Sequence, residues 1–292
     1  IAFKRKKDSS ISVALTLHRL DNVDAVVSAG NTGAVVATSM IALSRIEGIL
    51  RPVIGSILPT RGLPCLLMDV GANPDCRAIH LLQFGIMGSI YMQEVIGIDN
   101  PPVGLLSIGS EDNKGNELTL FANTLFSESH LNFIGNIEGS DLLSGKAAVA
   151  VCDGFTGNLI LKFAESFPAF LAESIKVSGN GSAAEAVRLI DAKFNPDDYG
   201  GVPILGVNGI SVVCHGNASP KAITSAVKAA VQAHHSGINE IIRDKVSEVN
   251  RFYAMNKYFQ HLRDRWEKRR QRIYMNPRRF FNWFSDKEPE KD

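Results

Sequence analysis

The chain has 292 residues, 45% hydrophobic and 21% charged, the balance of a globular protein long enough to bury one substantial core or two small ones. Lys and Arg number 31 against 30 Asp and Glu, a net charge of +1, so no whole-chain field argues for nucleic acid or membrane. Four scattered cysteines without a CxxC pair point to reduced thiols rather than a disulfide framework or zinc site, and the lack of a bilayer-length apolar run or an apolar leader predicts a cytoplasmic protein.

In chain order, Asp8-Ser9-Ser10 supplies an N-cap for a helix over "ISVALTLHRL". "DAVVSAG" reads as a strand that breaks into Gly30-Asn31-Thr32-Gly33 and resumes as the helix "GAVVATSMIALSRI". "PVIGSIL" and "PCLLMDVG" follow as strands, the second ending in Asp69-Val70-Gly71-Ala72-Asn73, and then the helix "AIHLLQFGIMGSIYMQEVIG". "PVGLLSIG" leads into a polar loop holding Lys114 and Asn116 and the helix "NELTLFANTLFSES". "LNFIGN" and "AAVAVCDG" are the next strands, the latter ending at Asp153-Gly154 before "FTGNLILKFAES".

Short apolar strands alternating with helices are the pattern of an α/β protein with a mostly parallel sheet. From about residue 165 the chain reads as two helices with a polar Gly-Asn-Gly-Ser break, then strand and helix again. Beyond 237 it becomes a charged helical pattern that ends in a stretch of Lys and Arg interleaved with Phe, Tyr and Trp.

Ligands in open α/β sheets sit outside the carboxyl ends of the strands, which predicts that the four polar strand tips converge on one crevice. Gly30-Asn31-Thr32-Gly33 opens a helix, so its backbone N–H groups suit an anion, phosphate above all; a plain turn is the alternative. It is neither G-x-G-x-x-G nor a Walker A loop. Asp69 and Asn73 would position a ligand or merely shape a turn. Lys114 at a helix start is disfavoured by the dipole unless an anion joins it. Asn158 and Lys162 lie one helical turn apart and so share a face. Cys152 reads as a buried strand thiol, and His80, His215 and His234-His235 as structural or surface residues.

The strings "SAGNTGA", "LLMDVGAN", "HLLQFGIMGS", "VGLLSIGSEDNKGNELT", "LNFIGNIEGSDLLSG", "VCDGFTGNLILK", "YGGVPILGVNG" and "HGNASPKAI", in that order, closely resemble the bacterial phosphate acyltransferases (PlsX type) across about residues 8 to 235. The resemblance implies conversion of acyl-acyl-carrier protein and inorganic phosphate to acyl phosphate and free carrier protein, in fatty acid and phospholipid biosynthesis. It also implies a Rossmann-like three-layer α/β/α sandwich, a cytoplasmic homodimer, and neither metal nor cofactor. Gly30, Asn31, Thr32 and Gly33 would then cradle phosphate or the acyl phosphate. Lys114 and Lys162 would neutralise charge, Asn116 or Asn158 would donate to the oxyanion, and Asp69, Asn73, Asp153 and Gly154 would complete and orient the substrate site.

Three departures stand out: the family's opening strand and first βα units are missing, the helical projection (163–198) is shorter and more polar, and a basic aromatic tail is added. Residues 1–236 are thus expected to form the acyltransferase domain, and 237–292 a helical tail. That tail suits peripheral contact with an anionic membrane surface or the acidic carrier protein, with no nucleic acid expected. Two competing readings are an inactive acyl- or phosphate-binding homologue with a partner-binding tail, and a nicotinamide-dependent oxidoreductase, which the missing G-x-G-x-x-G disfavours.

Overall fold

The computed structural model describes Lys6, residues 8–178 and residues 201–255. The elements in chain order are α1 (Ser10–Arg19), β1 (Val26–Ser28), α2 (Thr32–Ala42), β2 (Val53–Leu58), β3 (Cys65–Met68), α3 (Ala78–Glu94), β4 (Val103–Leu106) and α4 (Glu117–Ser127). After these come β5 (Phe133–Ile137), a 3₁₀ turn (Gly139–Leu143), β6 (Val149–Val151), α5 (Gly154–Ser178), β7 (Val202–Leu205), β8 (Ser211–Val213), α6 (Pro220–His235) and α7 (Ile238–Met255).

Side-chain caps set several of these boundaries, each satisfying an N–H that the helix leaves open. Ser9 accepts from the Ser12 N–H, Asn31 from Ala34, Asn116 from Thr119 and Ser219 from Ala222. Pro220 follows the last of these at the first helical position, where its missing N–H costs nothing.

The eight strands form one mixed sheet in the order β1-β8-β7-β2-β3-β6-β4-β5. β3, β6, β4 and β5 run parallel, and β1 runs parallel to β8. β2 is antiparallel to both β3 and β7, and β7 to β8. β1 and β8 therefore run in the sense opposite to β3, β4, β5 and β6.

The central strands β3, β4 and β6 are buried at every position, as strands covered on both faces must be. On one face α3 lies so close that a Cβ on Gly88 would press on Met68 Sδ and Val149, and one on Gly85 on the Phe126 ring of α4. On the other, Ile160, Leu161 and Ala164 of α5 pack on a cluster containing Cys65, Leu67, Ala150 and Cys152. Alternate residues of β3 thus face α3 and α5, the three layers expected of the α/β sandwich. All four cysteines are buried free thiols.

α5 starts at Gly154, directly at the strand tip, and runs unbroken past residue 163 to Ser178. The polar break and second helix of the expected projection lie outside the described residues. The chain divides into two compact units, Ile1–Val246 and Ser247–Asp292; the basic aromatic stretch beyond Met255 also lies outside the described residues. No described helix is long and apolar enough to cross a membrane.

Candidate active site

β3 and β6 are neighbours, yet β3 leads into α3 on one face of the sheet and β6 into α5 on the other. Adjacent strands whose connections leave toward opposite faces open a crevice at their carboxyl ends. Into it project the loop 69–77 and the short turn 152–153 with the first turn of α5, and beside them the loop 107–116 after β4.

Asp69 is the hub of the first loop and is fully buried. Its Oδ1 accepts from the N–H groups of Gly71 and Ala72, both at 3.0 Å. Its Oδ2 accepts from the Asn73 N–H at 2.7 Å and from Asn73 Nδ2 at 2.8 Å. Asn73 Nδ2 also donates to the Pro52 carbonyl at 2.8 Å, tying the loop to the start of β2. Burial pushes the Asp69 carboxyl above its ordinary value, and these four donors pull it back. With both oxygens occupied, Asp69 holds the loop rather than a ligand.

The second loop is fastened to the first. The Gly154 N–H donates to the Asn73 carbonyl at 2.9 Å, and Asp153 caps α5 by accepting from the Thr156 N–H at 2.9 Å and from Thr156 Oγ1 at 2.8 Å. A Cβ on Gly157 would collide with the Asp69 carbonyl, so only glycine lets α5 start this close to β3. Gly71 has φ +135°, and a Cβ there would meet the Asn158 side chain at 3.4 Å. Asn158 and Lys162 both lie on exposed turns of α5, where Lys162 Nζ pairs at 2.7 Å with Glu165 rather than with Asn158.

The third loop is pinned from beneath. Buried Asn136 donates through Nδ2 to the Glu111 carbonyl at 2.8 Å and receives, on Oδ1, a bond from buried Asn123 at 3.1 Å. Ser107 Oγ donates to the Lys114 carbonyl at 3.0 Å. The backbone around Lys114 is therefore fixed while its ammonium projects to solvent, with no ion pair among the described residues. Asn116 spends its Oδ1 on capping α4, leaving its amide N–H₂ as the group able to donate.

The fourth tip does not join these three, which corrects the expectation of a single crevice. β1 runs the other way, so Gly30-Asn31-Thr32-Gly33 lies with the carboxyl end of β8, where the Cys214 N–H donates to the Ser28 carbonyl at 2.8 Å. The antiparallel β2 and β7, inserted between the two parallel groups, cause this reversal. Asn31 Oδ1 accepts from Ala34 N at 3.0 Å, so at this loop the N–H groups of Thr32 and Gly33, not the Asn31 carbonyl, are what faces solvent.

Further groups at the first crevice escape sequence reading. His80, 3% exposed, sits on α3 beside Arg77, whose Nε and Nη2 are each 3.3 Å from His80 Nε2. Burial, and then the charges of Arg77 and Arg51, lower the His80 pKa to about 4. The Cys76 thiol is pushed up to about 12 and that of Cys152 well above its ordinary value, burial being the main cause in both. Neither is a nucleophile at neutral pH. Arg51, Asn123, Asn136 and Gly157 carry no local signal, because each matters through a partner distant in sequence; only the helix-start position of Arg77 was readable.

Residues 1–241 match the model of a family described as fatty acid synthesis protein. The phosphate acyltransferase of Heliobacterium modesticaldum is 46% identical over 261 residues, covering 85% of this chain and 78% of that protein. That of Pelotomaculum thermopropionicum is 43% identical over 258 residues, covering 85% and 75%. Among solved structures, a phosphotransacetylase from Streptococcus pyogenes superposes with a TM-score of 0.54 at 18% identity over 80% of this chain and 69% of that one. The EutD phosphotransacetylase from Staphylococcus aureus gives 0.52 at 15% over 76% and 66%; these two likenesses are of fold. With residues 1–241 matched, the chain belongs to the fatty acid synthesis protein family, the phosphate acyltransferases of PlsX type, and is an acyltransferase.

Proposed function

We propose that the chain transfers the acyl group of an acyl-acyl-carrier protein thioester to inorganic phosphate, within fatty acid and phospholipid biosynthesis. The observation that supports this reading best is that the parallel neighbours β3, β6 and β4 all turn toward their helices at one edge of the sheet, the edge where Asn158, Lys162, Lys114 and the Asn116 amide are the available donors and cations while Asp69 and Asp153 spend their oxygens on their own loops. A phosphate oxygen attacks the thioester carbonyl carbon, and the carbonyl π electrons move onto oxygen. The ammonium groups and amide N–H groups stabilise that oxyanion because they are held in place before charge develops. Collapse breaks the C–S bond, sulfur leaves with the electron pair, and the proton carried by hydrogen phosphate ends on the carrier thiol. No acyl-enzyme intermediate is invoked, in keeping with the raised pKa values of Cys76 and Cys152.

Asp69, Asn73, Asp153 and Gly154 serve as the frame that sets Asn158 and Lys162 against the first loop. Gly30, Asn31, Thr32 and Gly33 form a second N–H cradle for a phosphate group at the β1 tip. The test is phosphate-dependent release of free carrier protein from an acyl-carrier thioester. Normal turnover by Lys162→Ala would take Lys162 off the site.

We further propose a homodimer. α5 exposes Phe155, Leu159, Phe163 and Phe170, a row of apolar residues such as monomers seldom leave bare; a monomeric mass in solution would remove this reading. The basic aromatic stretch, including Trp266, Phe280, Phe281, Trp283 and Phe284, is assigned to peripheral contact with anionic lipid. Unchanged binding to anionic liposomes after deletion of residues 256–292 would end that assignment.

A further inference from the structure

The α3 side of the crevice carries two half-buried arginines that the reaction above does not use. Arg51 precedes Pro52 at the start of β2. The β2–β3 register sets it beside the 69–73 loop: Gly55 lies opposite Met68, the Val70 N–H donates to the Ile54 carbonyl at 3.0 Å, and Asn73 Nδ2 donates to the Pro52 carbonyl. Arg77 is the N-cap of α3. Its backbone N–H points at His80 Nδ1 at 3.2 Å, while its Nε and Nη2 point at His80 Nε2 at 3.3 Å.

A neutral imidazole has one lone pair and one N–H. Both ring nitrogens of His80 face donors, so whichever tautomer is present, one of these contacts sets donor against donor. Protonation only adds a second N–H. The conflict sits on a side chain that is almost wholly buried, where an unmatched polar group is costly. Acids that would relieve it are engaged elsewhere: Asp69 by four N–H groups and Asp153 by Thr156. α3 has no acid in its first turn. Asp75 is the acid whose charge reaches His80, and neither Arg51 nor Arg77 forms a salt bridge among the described residues. The start of α3 thus gathers two guanidinium groups, an imidazole and open helix N–H groups with too few acceptors. An anion with several oxygens in a compact array supplies those acceptors, and guanidinium forks match phosphate oxygens in pairs.

We propose that Arg51, Arg77 and His80 form a phosphate-binding subsite on the α3 side of the crevice, taking either the inorganic phosphate acceptor or the phosphate ester of the acyl donor. This rests on the phosphate acyltransferase reading for its choice between those two sources, not for the anion chemistry itself.

The experiment measures turnover by the full chain and by Arg51→Gln and Arg77→Gln, with inorganic phosphate and acyl-carrier thioester varied independently. Each variant is expected to raise KM about tenfold or more for one substrate and leave the other within about twofold, with partial recovery in the lysine variants. A rise in the phosphate KM assigns the subsite to the acceptor, and a rise in the thioester KM to the donor. Both KM values unchanged in both variants would overturn the proposal. A second measurement needs neither folding of the variants nor turnover: phenylglyoxal labelling of the wild-type chain, mapped by mass spectrometry, with and without inorganic phosphate or acyl-carrier thioester. Protection of Arg51 and Arg77 by either supports the subsite, and labelling unaffected by both refutes it. Wild type that never releases carrier protein defeats the acyl-transfer reading, while phosphate protection of the arginines would still uphold the anion site.

Discussion

Asp69→Ala removes, in one substitution, the acceptor of four N–H groups. Two of them, on exposed Gly71 and half-buried Ala72, can turn to water and contribute little to the loss. The other two belong to buried Asn73, whose N–H and Nδ2 lie 2.7 and 2.8 Å from Oδ2. Hydrogen bonds to a charged group contribute about 1.5–3 kcal/mol each, and abandoned buried donors add to the loss. Relief of a carboxyl that burial disfavours offsets part of it. A net destabilisation of about 3–4 kcal/mol is expected, a large share of the roughly 5–15 kcal/mol that holds a domain together. The two tryptophans lie at 266 and 283, outside the α/β unit, so urea unfolding is followed by far-ultraviolet circular dichroism rather than by fluorescence. Because Asn73 carries the link to Gly154, kcat should fall along with stability. A loss below about 1 kcal/mol would refute the assignment of Asp69 as the hub of the loop.

Gly157→Ala drives a methyl group into the Asp69 carbonyl and should cost about 1–3 kcal/mol with loss of activity, whereas Gly139→Ala, with nothing within 4 Å, should be neutral in both; equal urea midpoints for the two would contradict this. Asn136→Ala frees the Glu111 carbonyl and the Asn123 amide, so a destabilisation of about 1–3 kcal/mol and a fall in kcat resembling that of Lys114→Ala are expected, although Asn136 touches no substrate. His80 has a folded pKa of about 4 against an ordinary 6.5. The unfolded chain therefore takes up its proton first, and stability present above about pH 6.5 is lost as pH falls toward 4, by about 1.4 kcal/mol per unit at most. His80→Asn should show a flatter fall of the urea midpoint across that window, and identical slopes would count against the buried neutral imidazole.

The sequence determined what depends on neighbours three or four residues away. Strands apolar on both sides, "CLLM" in β3 and "VAV" in β6, could only be buried between layers. Asn31, Asn116 and Ser219 capped helices where such side chains do so in any context, and the i, i+4 spacing put Asn158 and Lys162 on one face. Strand order and polarity were decided by tertiary structure, because pairing is chosen by burying both faces of the whole sheet rather than by any one strand. Hence the Gly30 loop, locally so like the Gly154 loop, was separated from it by the antiparallel β2 and β7. The same long-range pairing brought Arg51 beside a loop that ends near Arg77 and His80, spent both oxygens of Asp69 on three backbone N–H groups and the Asn73 amide, and placed Asn136 under Lys114. A residue's composition and spacing state what it can bond to; which partner reaches it first depends on segments of chain that only folding brings together.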